Sequence, residues 1–150
     1  MEGDFVDSKL SGKGKETDPY GDVYEGDYQH GLRSGKGKET SANGDVYEGD
    51  WLHDKKTGKG SQTWANGDVY EGDWLYGNRS GKGTYIWANG DFYEGDFVDG
   101  EPHGKGSILW ANGDAYEGQW ANGLRHGQGV ITFVDSGQIY EGTWHEGEVE

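Results

Sequence analysis

Aromatic and polar residues alternate along the chain in short stretches that recur every 23 or 24 residues. Each stretch reads Tyr-Glu-Gly, one further residue and then a second aromatic residue, and the copies begin at Tyr24, Tyr47, Tyr70, Tyr93, Tyr116 and Tyr140. Alternation with a period of two predicts β-strands. A fixed period of this length predicts a repeat protein, in which each unit buries its apolar side against its neighbours. The predicted repeats form one array over residues 1–150, divided as 1–23, 24–46, 47–69, 70–92, 93–115, 116–139 and a partial copy at 140–150.

Each repeat is predicted to contain two antiparallel strands, which gives twelve strands in six whole repeats. In the copy at 68–91, the first strand covers 68–74, a loop runs through Ser80, and the second strand covers 81–87. Glycine weakens a strand, yet glycine recurs in both strands of every copy. We expect a ring from a neighbouring strand to lie over each of these glycines and to compensate for the missing side chain.

The turn between successive repeats admits two registers. A two-residue loop of Asn89 and Gly90 would mix charged and aromatic side chains on each face of the sheet. A three-residue loop that also includes Ala88, with Gly90 left-handed, places Tyr85 opposite Tyr93 and gathers rings and glycines on one face. On the other face this register brings lysines opposite aspartates, a favourable pairing. We therefore predict the three-residue loop.

The N-terminal repeats depart from the pattern. Glu16 and Glu39 occupy the slot that holds Tyr85 in a later copy, so we expect the first third of the chain to be loosely packed or to be covered by something else. Ser8 and Asp54 replace a glycine of the other copies in the loop inside the repeat, and these two loops are expected to differ in shape.

Composition indicates a thin sheet rather than a thick globular core. Hydrophobic residues make up 31% of the chain and the mean hydropathy is -1.02, but aromatic residues recur in phase, unlike in disordered chains. There is no cysteine for disulfides or thiolate metal sites. The start of the chain has no secretory pattern, and no stretch approaches the length of a membrane span. We expect a cytoplasmic location.

The order Tyr-Glu-Gly-x-Trp, a glycine-bearing loop, Gly-Lys-Gly and Asn-Gly-Asp, as in residues 70–93, resembles the MORN repeat (membrane occupation and recognition nexus). The resemblance covers nearly the whole chain. It implies an all-β fold: an elongated single-layer twisted antiparallel sheet of tandem β-hairpins. It also implies a scaffold or docking track in the cytoskeleton or the cilium axoneme, and the small, repeat-only chain looks most similar to the radial spoke head group. The alternative is a regulatory or membrane-tethering module of a larger protein such as a phosphatidylinositol phosphate kinase.

No catalytic, cofactor or metal site is predicted. His103 and His126, the histidines closest in repeat phase, should lie about 10 Å apart, too far to share a metal. Gly31 and Gly35 have three rather than four residues between them, and no Ser or Thr follows Lys36, so the glycine-lysine motif is not a phosphate loop. The many carboxylates recur on an open face with no pocket to shift their pKa values. We expect no enzyme activity.

The net charge of -15 decides between partner classes. Nucleic acid and direct binding to anionic membranes are disfavoured, because both need clusters of Lys and Arg. A basic protein segment, extended or helical, is favoured, with aromatic residues as anchors. Open sheet edges would also allow edge-to-edge self-association. The predicted partner-binding residues, on the aromatic face, are Trp51, Trp64, Trp74, Tyr85, Trp87, Tyr93, Phe97, Trp110, Tyr116 and Trp120.

Overall fold

The protein is all-β. The computed structural model describes residues 2–6 and 9–149 and divides the chain into two compact units, Met1–Asn78 and Arg79–Glu150. No helix that could cross a membrane occurs among these described residues. In the first unit the strands are β1 (Glu2–Val6), β2 (Lys9–Thr17), β3 (Val23–Gln29), β4 (Leu32–Thr40), β5 (Val46–Leu52), β6 (Lys55–Thr63) and β7 (Val69–Leu75). In the second they are β8 (Asn78–Ile86), β9 (Phe92–Val98), β10 (Glu101–Leu109), β11 (Ala115–Ala121), β12 (Leu124–Thr132), β13 (Ile139–His145) and β14 (Glu148–Val149).

Within each unit the strands form one antiparallel layer in chain order. Strands β1 to β7 pair successively in the first unit, and β8 to β14 do so in the second. The predicted architecture of tandem antiparallel hairpins is therefore confirmed. The six whole repeats contain β1 to β12, the predicted twelve strands, and the partial copy at the end of the chain adds a further hairpin, β13 and β14.

The turn between repeats has the predicted three residues. The Gly90 backbone N–H donates to the Trp87 carbonyl at 2.9 Å, the Trp87 N–H donates to the Asp91 carbonyl at 2.9 Å, and Gly90 has a φ of 98°. The register that follows is also as predicted, with Tyr85 opposite Tyr93.

The turn inside the repeat is shorter than predicted. The expected loop through Ser80 is a two-residue turn, because Tyr76 and Gly77 both adopt positive φ, 48° and 91°, and the next strand already begins at Asn78. The turn at Asp54 was expected to differ in shape, and this was wrong. His53 and Asp54 have φ values of 47° and 68° and form the same kind of turn without glycine. The similar expectation for Ser8 lies outside the described residues.

Hydrogen bonds from one repeat to the next reinforce the stacking at both ends of the strands. Within each unit, a turn aspartate accepts a hydrogen bond from a backbone N–H twenty positions later: Asp45 Oδ1 from Ala65 and Asp91 Oδ1 from Ala111, each at 2.8 Å. At the opposite end, the Gly100 N–H donates to the Arg79 carbonyl at 2.9 Å. Neighbouring repeats of one unit thus satisfy each other's backbone groups.

The core of each unit lies on one face of its sheet. The six largest fully buried side chains are five repeat tyrosines and one leucine, namely Tyr24, Tyr47, Tyr70, Tyr93, Tyr116 and Leu10. The expected loose packing of the N-terminal repeats is not seen at Tyr24, which is completely buried. Its ring is covered by the rings of Tyr28 and Trp51 and by the guanidinium of Arg33, which lies 4.5 Å from the ring centre and pairs with Glu39 at 2.7 Å.

Candidate docking face

A zigzag of aromatic rings builds the buried part of the glycine-bearing face. In the first unit, Trp51 stands edge-on to Tyr24 and Tyr47, with ring centres 5.1 and 5.2 Å apart. In the second unit, Trp120 stands between Tyr93 and Tyr116 at 5.3 and 5.2 Å. Edge-to-face contacts of this kind stabilise a core beyond the area that they bury. These contacts therefore connect the aromatic rings of consecutive repeats within each unit.

The glycines of the strands make room for these rings. A Cβ atom added to Gly37 would lie 2.1 Å from the Tyr24 hydroxyl, and one added to Gly106 would lie 2.2 Å from the Tyr93 hydroxyl. The Tyr93 hydroxyl itself donates to the Asp96 carbonyl at 2.8 Å. The prediction that rings cover the strand glycines is confirmed.

The polar atoms of the buried rings have partners of their own. The indole N–H of Trp51 donates to the Gly37 carbonyl at 3.1 Å, and that of Trp120 donates to the Gly106 carbonyl at 3.0 Å. Burial raises the pKa of Tyr28 to about 12, and a hydrogen bond from its hydroxyl to Glu16 at 3.1 Å adds to the effect. Among the residues that the structure describes, Trp144 is the exception, since its indole N–H is buried without a partner.

Six of the ten predicted partner-binding residues lie in this core. Their exposure is at most 8%, because each ring packs against rings of the same or the next repeat and over a glycine. The expectation that they form an exposed row does not hold for these six, which are Trp51, Trp74, Tyr93, Phe97, Tyr116 and Trp120.

The other four predicted residues, Trp64, Tyr85, Trp87 and Trp110, are half-buried near the turns between repeats. Trp87 packs on Tyr85 with ring centres 4.6 Å apart. Phe133, which the prediction omitted, occupies the same slot as Trp110 one repeat later and is 38% exposed. Its place in the repeat pattern was the signal that could have found it. In the second unit, Trp87, Trp110 and Phe133 form what we call the outer ring row.

Cations over the rings were not foreseen. The guanidinium of Arg125 lies 4.4 Å from the centre of Trp144 and 5.7 Å from that of Trp110, and the Lys56 ammonium lies 4.9 Å from the centre of Tyr47. Burial lowers the pKa of Lys56. A cation held over the face of an aromatic ring is attracted to it. Lys56 and Arg125 occupy the same position of the repeat. This recurrence was the sequence signal from which a cation over the rings could have been predicted.

The opposite face carries the charges. Lys82 pairs with Asp96 in the predicted register, and Lys36 pairs likewise with Asp50. The pKa of Asp96 is lowered, chiefly by the hydrogen bond from Lys82. The same face carries one exposed glutamate in each of six repeats, at Glu25, Glu48 and Glu71 in the first unit and at Glu94, Glu117 and Glu141 in the second.

One contact between histidines was not predicted. His103 accepts a hydrogen bond from the Asn122 N–H at 3.3 Å, whereas His126 has the ring of His145 at 5.4 Å. That proximity was missed because it depends on pairing between β12 and β13. Within the described residues, no group of three or more His, Asp or Glu side chains is arranged to hold a metal ion.

The surface of the second unit has open concavities. One of about 540 Å³ lies on the charged face between Glu94, Lys105, Glu117 and Gln128. Another, of about 470 Å³, lies near the C-terminal end between Ile131, Phe133, Tyr140 and Trp144. The first also contains Ser107, which lies opposite Glu94 on one neighbouring strand and opposite Glu117 on the other.

Structural comparison finds the TCP domain of SAS-4 (dCPAP) from Drosophila melanogaster, in complex with a proline-rich motif of Ana2 (dSTIL). The two chains are 12% identical, with a TM-score of 0.50, and the match covers 89% of this chain and 85% of that one. Virginiamycin B lyase from Staphylococcus aureus gives a TM-score of 0.22 at 17% identity, over 91% of this chain and 43% of that one. No curated protein sequence matches the chain.

The family model for the MORN repeat matches seven consecutive segments. They cover residues 2–23, 24–46, 47–69, 70–92, 93–115, 116–138 and 140–148. The match therefore extends over nearly the whole sequence. Its segments have the same period as the aromatic rings and turns described above. The chain belongs to the MORN repeat family.

Proposed function

We propose that the chain is a non-catalytic docking scaffold, which holds protein segments within a cytoskeletal assembly such as the radial spoke heads of an axoneme. The MORN repeats themselves suggest a protein-interaction or scaffold module. The observation that carries the proposal is the outer ring row, in which large aromatic side chains stay half-exposed and recur once per repeat. Aromatic residues are enriched where proteins bind other proteins.

The charge of the chain supports a protein rather than a lipid or nucleic acid as the partner. With 28 acidic against 13 basic residues, the surface would repel phosphates and attract a basic segment. The TCP domain, whose fold is similar, is in complex with a proline-rich motif. That complex supports an extended segment as the class of partner here.

The test is affinity purification of the tagged protein from ciliated cells, followed by mass spectrometry. The intact bait is compared with a Trp87→Ala/Trp110→Ala double variant. Leu109→Ala is the matched control, because Leu109 is 51% exposed and lies on the opposite face of β10. We expect axonemal proteins with the intact bait and the control, and their loss with the double variant.

Other outcomes would count against the proposal. Recovery of membrane proteins or of a lipid kinase complex would favour the regulatory module instead. Equal recovery by all three baits would place the contact away from the outer ring row.

A further inference from the structure

We infer that a basic, proline-rich segment in the polyproline II conformation docks across Trp87, Trp110 and Phe133, the outer ring row of the second unit. The inference rests on the proposed docking function and specifies both the surface and the conformation of the partner.

The outer ring row has a regular construction. Each member directly precedes the turn between two repeats and lies on the glycine-bearing face, one repeat from the next. Trp87 and Trp110 are half-buried, whereas Phe133 is 38% exposed. The first unit has Asp18, Ser41 and Trp64 in this slot, so only the second unit presents three consecutive rings.

The spacing of the row is set by the sheet. Equivalent residues of successive repeats are two strands apart, which is about 10 Å in a regular sheet. The buried rings agree with this value, since Trp120 bridges Tyr93 and Tyr116 with contacts of 5.3 and 5.2 Å. A polyproline II helix completes a turn every three residues and advances about 9 Å per turn. Every third residue of such a segment would therefore meet the next ring of the row.

Other conformations fit this row less well. An extended strand returns to the same face every second residue, or about 7 Å, and would miss alternate rings. An amphipathic helix offers anchors three and four residues apart and needs a wide groove. The outer ring row instead has only one aromatic residue in each repeat. A polyproline II segment is also preformed, so it loses little entropy on binding, and its prolines stack on aromatic rings.

The net charge of the whole chain favours a basic segment. Beside the row itself lies the guanidinium of Arg125, 5.7 Å from the ring centre of Trp110. Asp91 and Asp114 lie in the turns that follow Trp87 and Trp110, because the N–H groups of these tryptophans donate to the Asp91 and Asp114 carbonyls at 2.9 and 2.8 Å. Both carboxylates already accept hydrogen bonds, from the Ala111 and Val134 N–H groups at 2.8 and 2.9 Å. The attraction of a basic segment therefore rests on the net charge of -15, which would steer it to the surface. The row therefore fits a partner in which prolines recur every third residue and basic residues lie between them.

The test uses two fluorescein-labelled peptides of thirteen residues and identical composition, rich in arginine. In one peptide four prolines recur every third residue, and in the other every fourth. Fluorescence anisotropy with the full chain should show the first peptide binding about tenfold more tightly than the second. The Trp87→Ala/Trp110→Ala variant should bind it about tenfold more weakly, as expected for the loss of aromatic anchors.

Controls keep the result interpretable. Leu109→Ala, on the opposite face, should bind like the unmodified chain. Phe133→Ala serves as a second variant if the double tryptophan variant does not fold, and it too should weaken binding. Equal binding of the two peptides, or unchanged binding by the folded ring variants, would overturn the inference. So would tighter binding of a helical peptide of the same charge.

The two proposals can fail separately. If axonemal partners are lost from the tryptophan variant in the purification but the proline peptide does not bind, the docking scaffold stands and the polyproline II partner is wrong.

Discussion

The contact between a tyrosine hydroxyl and a glycine of the following strand recurs from repeat to repeat. At Gly106 an added Cβ would lie 2.2 Å from the Tyr93 hydroxyl, and Tyr93 is completely buried. The ring cannot move outward without losing its edge-to-face neighbours, Phe97 and Trp120. A single methyl group at the glycine therefore affects several rings.

Gly106→Ala should accordingly destabilise the protein by about 1 to 3 kcal/mol, the usual range for overpacking a filled core. Urea denaturation would measure the loss. Gly77→Ala is the matched control, since Gly77 has a φ of 91° but no atom within 4 Å of the added Cβ. It should cost about 1 kcal/mol through the backbone alone. A Tyr93→Leu background should reduce the cost of Gly106→Ala, and an undiminished cost there would contradict the clash.

At this scale the sequence predicts which residues touch but not how deeply they are buried. Ring and glycine share one phase of the repeat, so their contact follows from the pattern. The burial of Trp51 depends instead on the cation of Arg33, 5.2 Å from its ring centre, and on rings from two repeats. Such coverage by side chains of several strands is not visible in a period-two pattern.

At the scale of strands and turns, the two connections of the repeat differ in predictability. The turn at Gly90 was predictable because its register sorts charged and aromatic residues onto separate faces. The turn at Tyr76 was not, since a tyrosine at a φ of 48° is uncommon outside such tight turns. The cross-strand ion pairs between lysines and aspartates were also predictable, because they depend only on the register that the turn at Gly90 sets.

Those ion pairs predict how stability depends on pH. Lys82 and the Lys105 N–H, which donates to Asp96 Oδ2 at 3.2 Å, hold the pKa of Asp96 below its usual value. A carboxyl group whose pKa is lowered by folding stabilises the folded state above about pH 4, the pKa of the unfolded chain, and loses that contribution as the pH falls further. Thermal melts should show a smaller decline below pH 4 for Asp96→Asn than for the unmodified chain. Parallel profiles would show that the pair does not contribute.

At the scale of the whole chain, acidic residues outnumber basic ones by 15. Self-repulsion of this size destabilises the compact state, and salt screens it. Exposed ion pairs weaken in salt but contribute little each. We therefore expect the melting temperature to rise as sodium chloride increases from about 0.01 to about 0.2 M. A fall over that range would mean that the lysine-aspartate pairs outweigh the repulsion.

The family and the all-β fold were predictable from the sequence, because the 23-residue period repeats the same strand and turn signals. The docking face was predictable only in part. Its half-exposed rings follow the pattern, but the division between core rings and outer rings depends on how neighbouring repeats cover each other.

Pairing within each unit joins every strand only to its neighbours in the chain, and this has a mechanical consequence. A force applied to the two ends of a unit would break the inter-strand hydrogen bonds of one hairpin after another rather than simultaneously. Each 23-residue repeat would then release about 80 Å of extended chain. The molecule would yield in equal steps under tension, so that each unit acts as an extensible tether.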